Sequence, residues 1–336
     1  MTPRPRSKRL TLLVLVLLAV AVLAGAPFIG MKTIHFGALL RPASTGTESD
    51  ILWRIRIPRV FIAFLAGAGL AVSGMAFQAM FRNPLATPFT LGVSSGASLG
   101  AAVSIRLGLA AAVLGATGTS LFAFLGAILA LVLVYGLTGA RRGFSTATML
   151  LAGVAVSFCF SSAILFMQYM SDFTQSYRIL RWLMGGFLIV GFGSVLRVAP
   201  FVVVGCVIVL YLTRELNLMA VGEEIAISRG VEVRRTKKVL FVGTSLMVGG
   251  VVAVCGPIGF VGMMVPHICR LLIGPDHRHL MPASFLFGGM FLTLCDALAR
   301  TVIAPAEMPV GIITALLGGP FFVWLLLART SETSIL

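Results

Sequence analysis

Apolar runs about as long as a bilayer is thick recur from one end of this chain to the other, and that recurrence limits the fold more than any single motif. Bounded by charges or by Pro/Gly clusters, ten runs fall near residues 10–30, 60–80, 90–105, 119–138, 146–170, 198–213, 238–255, 260–273, 281–303 and 309–328. A helix needs roughly 20 apolar residues to cross about 30 Å of hydrocarbon, and lipid requires every backbone amide to be satisfied within the chain. With 58% of the 336 residues hydrophobic and only 11% charged, water is not the solvent of this chain. The expectation is an all-α integral membrane protein of about ten transmembrane helices. No polar block remains for a soluble domain, so 1–336 reads as a single transmembrane domain. The sixth and eighth runs are short for a bilayer and need cover from neighbouring helices.

The net charge of +15 raises nucleic acid as a partner, but the basic residues sit in short clusters between apolar runs rather than on one face. Anionic lipid headgroups account for them, and no nucleic acid is expected. Lys and Arg accumulate on the cytoplasmic side during insertion. An even span count with both termini cytoplasmic puts sixteen of the 26 inside, among them Arg4, Arg141, Arg142 and Lys237. Ten fall outside, and Arg54, Arg56 and Arg59 cluster there against the rule. At the amino end, the apolar run from Leu10 continues through Ile29, longer than the roughly 7–15 residues of a signal peptide core, so an uncleaved first span is expected. The five cysteines show no metal-type spacing and read as buried, inert thiols.

Between the runs, 171–197 reads as an external connection carrying a short helix around Tyr177 to Met184, with Trp182 at interfacial depth. The longest polar stretch, 214–238, reads as cytoplasmic, with helix-like pieces from Leu216 to Ile225 and from Ala226 onward. Small residues recur there at Gly222, Ala226 and Gly230, which permits a tight turn and close approach by another surface. Many of the 37 glycines lie inside apolar runs at small-residue spacing, as Gly67, Gly69 and Gly74 do, where helix backbones can approach closely. Asn83, Pro84 and Pro88 form a chain break. His267 and Arg270 read as interhelical hydrogen-bonding groups, and His277 and His279 as members of a short polar loop with no metal site. Asp296 stands four residues before Arg300, the favourable order for a helical pair.

Four stretches together resemble the permease family of iron-siderophore, haem and cobalamin importers. They are Arg56-Ile57-Pro58-Arg59; Phe81-Arg82-Asn83-Pro84-Leu85-Ala86-Thr87-Pro88; Gly256-Pro257-Ile258-Gly259-Phe260-Val261-Gly262 with Pro266, His267 and Arg270; and Met308-Pro309-Val310-Gly311-Ile312 leading to Gly319-Pro320. The resemblance implies a multi-pass subunit of the bacterial inner membrane that pairs with a second copy of itself, the substrate path running between the copies. It also implies two cytoplasmic ATPase subunits that hold ATP and Mg, and an external substrate-binding protein. By similarity, Arg56, Arg59 and Arg300 dock acidic residues of that binding protein. Gly222, Glu223, Ala226, Arg229 and Gly230 form the segment that couples to the ATPase. Ser157, Ser161, Ser162, Met167 and Gln168 line the path, and Asn83, Pro84, Gly256, Pro257, Pro266, His267 and Asp296 are structural.

The sequence contains no Gly-rich phosphate loop ending in Gly-Lys-Ser/Thr. The subunit is therefore expected to bind no cofactor and to have no ATPase site of its own. An ion-gradient-driven secondary transporter is the alternative, but it should carry midspan carboxylates and interrupted helices in repeated halves. A membrane-embedded enzyme would need a clustered His, Asp and Glu constellation, which four histidines in this arrangement do not supply.

Overall fold

The computed structural model describes residues 5–35, 37, 46–108, 116–139, 146–187 and 190–333. Arg4, Arg41, Arg141 and Arg142, counted in the charge bias above, lie outside the described residues. Every regular element among the described residues is helical. The chain opens with α1 (Pro5–Gly25), and α2 (Thr47–Asp50) runs through a π-helical turn, Ile51–Arg56, into α3 (Ile57–Phe81). Then come α4 (Val93–Arg106), α5 (Ala116–Gly139), α6 (Thr146–Tyr169) and the short α7 (Phe173–Leu183). Next are α8 (Gly193–Tyr211), α9 (Thr213–Val221), α10 (Glu223–Ser228), α11 (Val233–Cys255), α12 (Val261–Ile273), α13 (His277–Ala299) and α14 (Val310–Thr333).

Each of the ten apolar runs has become a helix, and among the described residues seven helices are long and apolar enough to cross a membrane. The short members are not quite those expected. The sixth run gains a turn because α8 begins at Gly193, where the Arg197 guanidinium folds back to donate to Ser194 Oγ at 2.9 Å. The third run stops at Arg106 after 14 residues, with Gly108 in the left-handed region (φ +66°) ending it. At about 1.5 Å per residue, α4 and the 13-residue α12 reach only about 20 Å.

Burial divides the long helices into two sets. The most apolar window of α3 is 89% buried, and those of α11 and α13 are 72% and 67% buried, whereas those of α1, α5 and α6 are under 30%. Three helices thus form a centre and the others wrap it. Glycines set that centre. A Cβ added at Gly67 would lie 2.1 Å from the Gly288 carbonyl oxygen of α13, and one at Gly74 would lie 1.7 Å from the Gly262 carbonyl of α12. Away from the centre, Gly96 of α4 and Gly126 of α5 face each other in the same way. Apolar side chains gain little by leaving equally apolar lipid tails, so backbone-to-backbone contact has to supply the packing.

Polar pins register the bundle at its ends. The Arg270 guanidinium of α12 donates to Gln78 Oε1 of α3, while Gln78 Nε2 donates to the Met263 carbonyl at 3.1 Å. His267 lies edge-on to Phe321 of α14. His277 and His279 occupy the first turn of α13 rather than a loop, because Asp276 caps that helix by accepting from the Arg278 amide at 3.1 Å. Asn217 of α9 donates to the Asp276 carboxylate at 2.8 Å and accepts from the His277 amide at 2.9 Å, tying α9 to α13. Burial raises the affinity of Asp276 for a proton, yet hydrogen bonds from Asn217, Arg278 and His279 hold its carboxyl below the ordinary range. That tie is present at neutral pH and is lost as acid passes through the depressed folded value.

The glycine contacts are tested by single methyl groups. Gly74→Ala should lower the unfolding temperature in detergent clearly, at a cost of about 1–3 kcal/mol or more from overpacking against rigid backbone. Gly136→Ala, on the exposed side of α5 with open space around the new methyl, should be neutral or slightly stabilising. Equal effects at the two positions would remove the packing argument.

Candidate functional site

The sequence-predicted residues gather at opposite ends of α3. At the Arg59 end the π-helical turn widens the backbone just before Pro58, whose missing amide hydrogen costs nothing in the first turn of α3. Arg59 then reaches across to α13, where Nη2 meets Asp296 Oδ1 at 2.9 Å and Nε lies 3.0 Å from the same oxygen. Its Nη1 pairs with Glu307 Oε2 at 2.7 Å. Arg300, one turn beyond Asp296, places Nε 3.1 Å from Oδ2 of that carboxylate and donates from Nη2 to the Ala26 carbonyl. Arg56 donates to the Pro27 and Lys32 carbonyls at 3.1 and 2.5 Å.

Three arginines and two carboxylates therefore fasten α3, α13, the turn after α1 and the segment before α14. The sequence reading treated Arg56, Arg59 and Arg300 as rim charges. The structure buries all three, with 6%, 6% and 4% of their surface exposed. Asp296, wholly buried, draws the Arg59 and Arg300 guanidiniums inward, and the Pro27 and Lys32 carbonyls hold Arg56. The Asp296–Arg300 pair was readable from its four-residue spacing. The Arg59–Asp296 pair spans 237 positions and Glu307 carried no periodic signal, so neither was found.

Beside the cluster three glycines let separate segments cross. Gly256 ends α11 at φ +69°, and a Cβ there would meet the Trp182 carbonyl at 2.6 Å. A Cβ at Gly185 would lie 2.3 Å from the Pro257 carbonyl, and one at Gly311 would lie 2.1 Å from the Met184 carbonyl. The Gly186 amide donates to the Cys255 carbonyl at 2.8 Å. The Gly256-Pro257 and Gly311 motifs thus serve one junction between the end of α7, the end of α11 and the start of α14.

At the other end of α3, Arg82 adopts a left-handed conformation (φ 49°) that terminates the helix, and Asn83 Oδ1 accepts from the Leu85 amide at 2.9 Å. Pro84 follows in that turn. The polar 214–238 stretch folds as α9 and α10 with the break at Gly222, three residues earlier than the sequence reading placed it. Glu223 and Glu224 take the first turn of α10, where a helix amino terminus favours acids. Glu223 pairs with Lys237 of α11 at 2.6 Å. Ala226 is fully buried inside the chain and its carbonyl accepts from the Val231 amide, so its small size serves internal packing. Gly230 turns the chain at φ +81°. The surface left open mixes apolar and polar residues: Val221, Ile225 and Ile227 are 63%, 46% and 61% exposed, with Glu224, Ser228 and Arg229 exposed beside them.

On α6, Ser157, Ser161 and Gln168 share one face, with Ser162 and Met167 to its two sides. Ser161 and Ser162 are exposed, and Ser157, Met167 and Gln168 are half-buried. The Met167 and Gln168 carbonyls accept from Ser171 and Ser176 hydroxyls, joining the end of α6 to α7. No group of three or more His, Cys, Asp or Glu that could hold a metal ion occurs among the described residues.

A glycine-packed bundle of apolar helices, cross-pinned at both ends and bearing a partly apolar surface on two short polar-flanked helices, is the fold of a multi-pass membrane permease. The chain belongs to the FecCD transport family, whose model matches residues 12–328. It is 38% identical to the hemin transport system permease protein HmuU of Yersinia pestis over 97% of this chain and 98% of that one. It is 39% identical to the vitamin B12 import system permease protein BtuC of Klebsiella pneumoniae, over 96% of this chain and 94% of that one. A structure solved as an inward-facing ABC transporter assigned to the metal-chelate type superposes with a TM-score of 0.85 at 30% identity, covering 95% of this chain and 99% of that one.

Breaking the buried cluster should be costly. Asp296→Asn strands Arg59 and Arg300 without their shared counter-charge, and removing one partner of a buried pair costs about 3–5 kcal/mol. Glu307, with 35% of its side chain exposed, should tolerate Gln at a cost of about 1 kcal/mol or less. Unfolding of the two variants in mixed detergent micelles measures both; a near-neutral Asp296→Asn would show that the cluster is not holding these elements together.

Proposed function

We propose that this chain is the membrane-spanning permease subunit of a binding-protein-dependent, ATP-driven importer for an iron(III)-siderophore, haem or cobalamin. The observation that carries the reading is likeness over nearly the full length, at 38% and 39% identity, to permeases named for hemin and vitamin B12. The single permease unit places about ten spans in the bacterial inner membrane with both termini cytoplasmic. The Arg59 end then faces outside and the Gly222 end faces the cytoplasm.

In this reading two copies pair and the substrate crosses between them by alternating access. The exposed side of α6 suits that path, since the open hydroxyls of Ser161 and Ser162 on an otherwise apolar helix offer weak contacts to a bulky chelate without trapping it. Docking of the external binding protein falls to the Arg59 end. Because Arg56, Arg59 and Arg300 are already engaged inside the chain, their contribution to docking is a fixed positive field rather than free side chains. The partner ATPases, which hold ATP and Mg, grip the cytoplasmic end through α9 and α10. Val221, Ile225 and Ile227 supply the apolar contact, framed by Glu224 and Arg229.

An ion-gradient-driven carrier needs a carboxylate that can take up and release its ion. Asp296 is tied to two guanidiniums and unsuited to that task.

The test is reconstitution with the cognate ATPase and binding protein in vesicles. Loaded binding protein should raise ATP turnover several-fold and drive uptake of the chelate. Ile227→Asp should leave insertion and thermal stability intact while abolishing that stimulation, because the Ile227 side chain is largely exposed on the surface assigned to the partner. Ion-gradient-driven uptake by the subunit alone would overturn the proposal.

A further inference from the structure

A cavity of about 590 Å³ opens at the Arg59 end, beneath α7. The amino ends of α3 and α5, the carboxyl end of α4, α7 and the segments 254–256 and 307–309 wall it. Its depth is formed by Ser104, Phe187 and Cys255, each no more than 2% exposed. Its rim is α7, where Tyr177, Arg178 and Arg181 are exposed. No residue of α6 contributes to it, so it is separate from the face assigned to transport.

Two features of this cavity point to a ligand. The guanidiniums of Arg59, Arg178 and Arg181 line it against one carboxylate, Glu307, leaving two positive charges in excess. Arg178 and Arg181 make no ion pair or hydrogen bond among the described residues, so both forks are free to hold an oxyanion.

Size decides between kinds of anion. At about 30 Å³ per water in the liquid, the space would hold on the order of twenty waters, far more than a bare inorganic anion fills. It lies in the range of about 300–1,000 Å³ typical of sites for organic ligands. The walls between rim and floor are largely apolar, from Ile105, Trp182, Val254 and Met308.

We propose that this cavity binds an organic anion, its carboxylate held by Arg178 and Arg181 and its apolar body lodged against Trp182. The site is a property of the single chain and does not depend on which chelate the importer carries.

Isothermal titration of the full chain in nanodiscs of zwitterionic lipid tests this, with 2-naphthoate as probe and 2-naphthalenemethanol as its uncharged counterpart. Naphthoate should bind saturably at one site per chain and raise the unfolding temperature. Arg178→Gln combined with Arg181→Gln should weaken binding at least about tenfold, the loss expected for charge-assisted hydrogen bonds. Both positions are exposed, so the variant should unfold at the unliganded wild-type temperature. Arg197→Gln, away from the cavity, should bind as wild type does. Equal affinity for the alcohol, unchanged binding in the double variant, or no saturable binding of naphthoate would each overturn the proposal.

Discussion

In lipid, an apolar side chain has little to gain by turning inward, and the architecture of this subunit follows from that one limitation. What holds helices together instead is how closely their backbones can come, so the glycines at 67, 74, 262 and 288 decide which helices are neighbours. Both contacts, Gly67 with Gly288 and Gly74 with Gly262, involve α3 as one partner, and α3 is accordingly the most buried long helix. The outer helices keep large apolar residues on their open faces, where lipid or another protein meets them.

The buried charge cluster answers a different need. Charges inside a bundle are costly to desolvate, and pairing seldom does more than repay that cost, so such a cluster is weak evidence for extra stability. Its value here lies in specification. Asp296 accepts from arginines on α3 and α13, adding a polar register to a pair of helices that the glycines bring into backbone contact. The same logic appears in miniature at the opposite end, where Gln78 links α3 to α12 and Asn217 links α9 to α13.

Much of this was legible in the residues. Ten apolar runs located ten helices, because the period and length of such runs report what lipid demands. The chain break at Asn83-Pro84, the glycine packing and the Asp296–Arg300 pair are local patterns and were read as such. Contacts between distant positions were not. Arg59 meets Asp296 across most of the chain, and no spacing rule reaches that far. Ala226 was not fully legible for a related reason: a small residue fits equally against its own chain or against a partner, and the packing places this side chain against its own chain. The break at Gly222 was misplaced because both pieces of that segment have helix-like composition.

The unbroken run of α3 has a mechanical meaning. Its 25 residues span about 37 Å, with Arg59 clamped at one tip and Gln78 fastened near the other, and no proline or glycine kink interrupts its hydrogen bonding after Pro58. A strut gripped at both tips moves as one piece. Any tilt imposed at its Gln78 end must emerge at its Arg59 end, without being absorbed along the way.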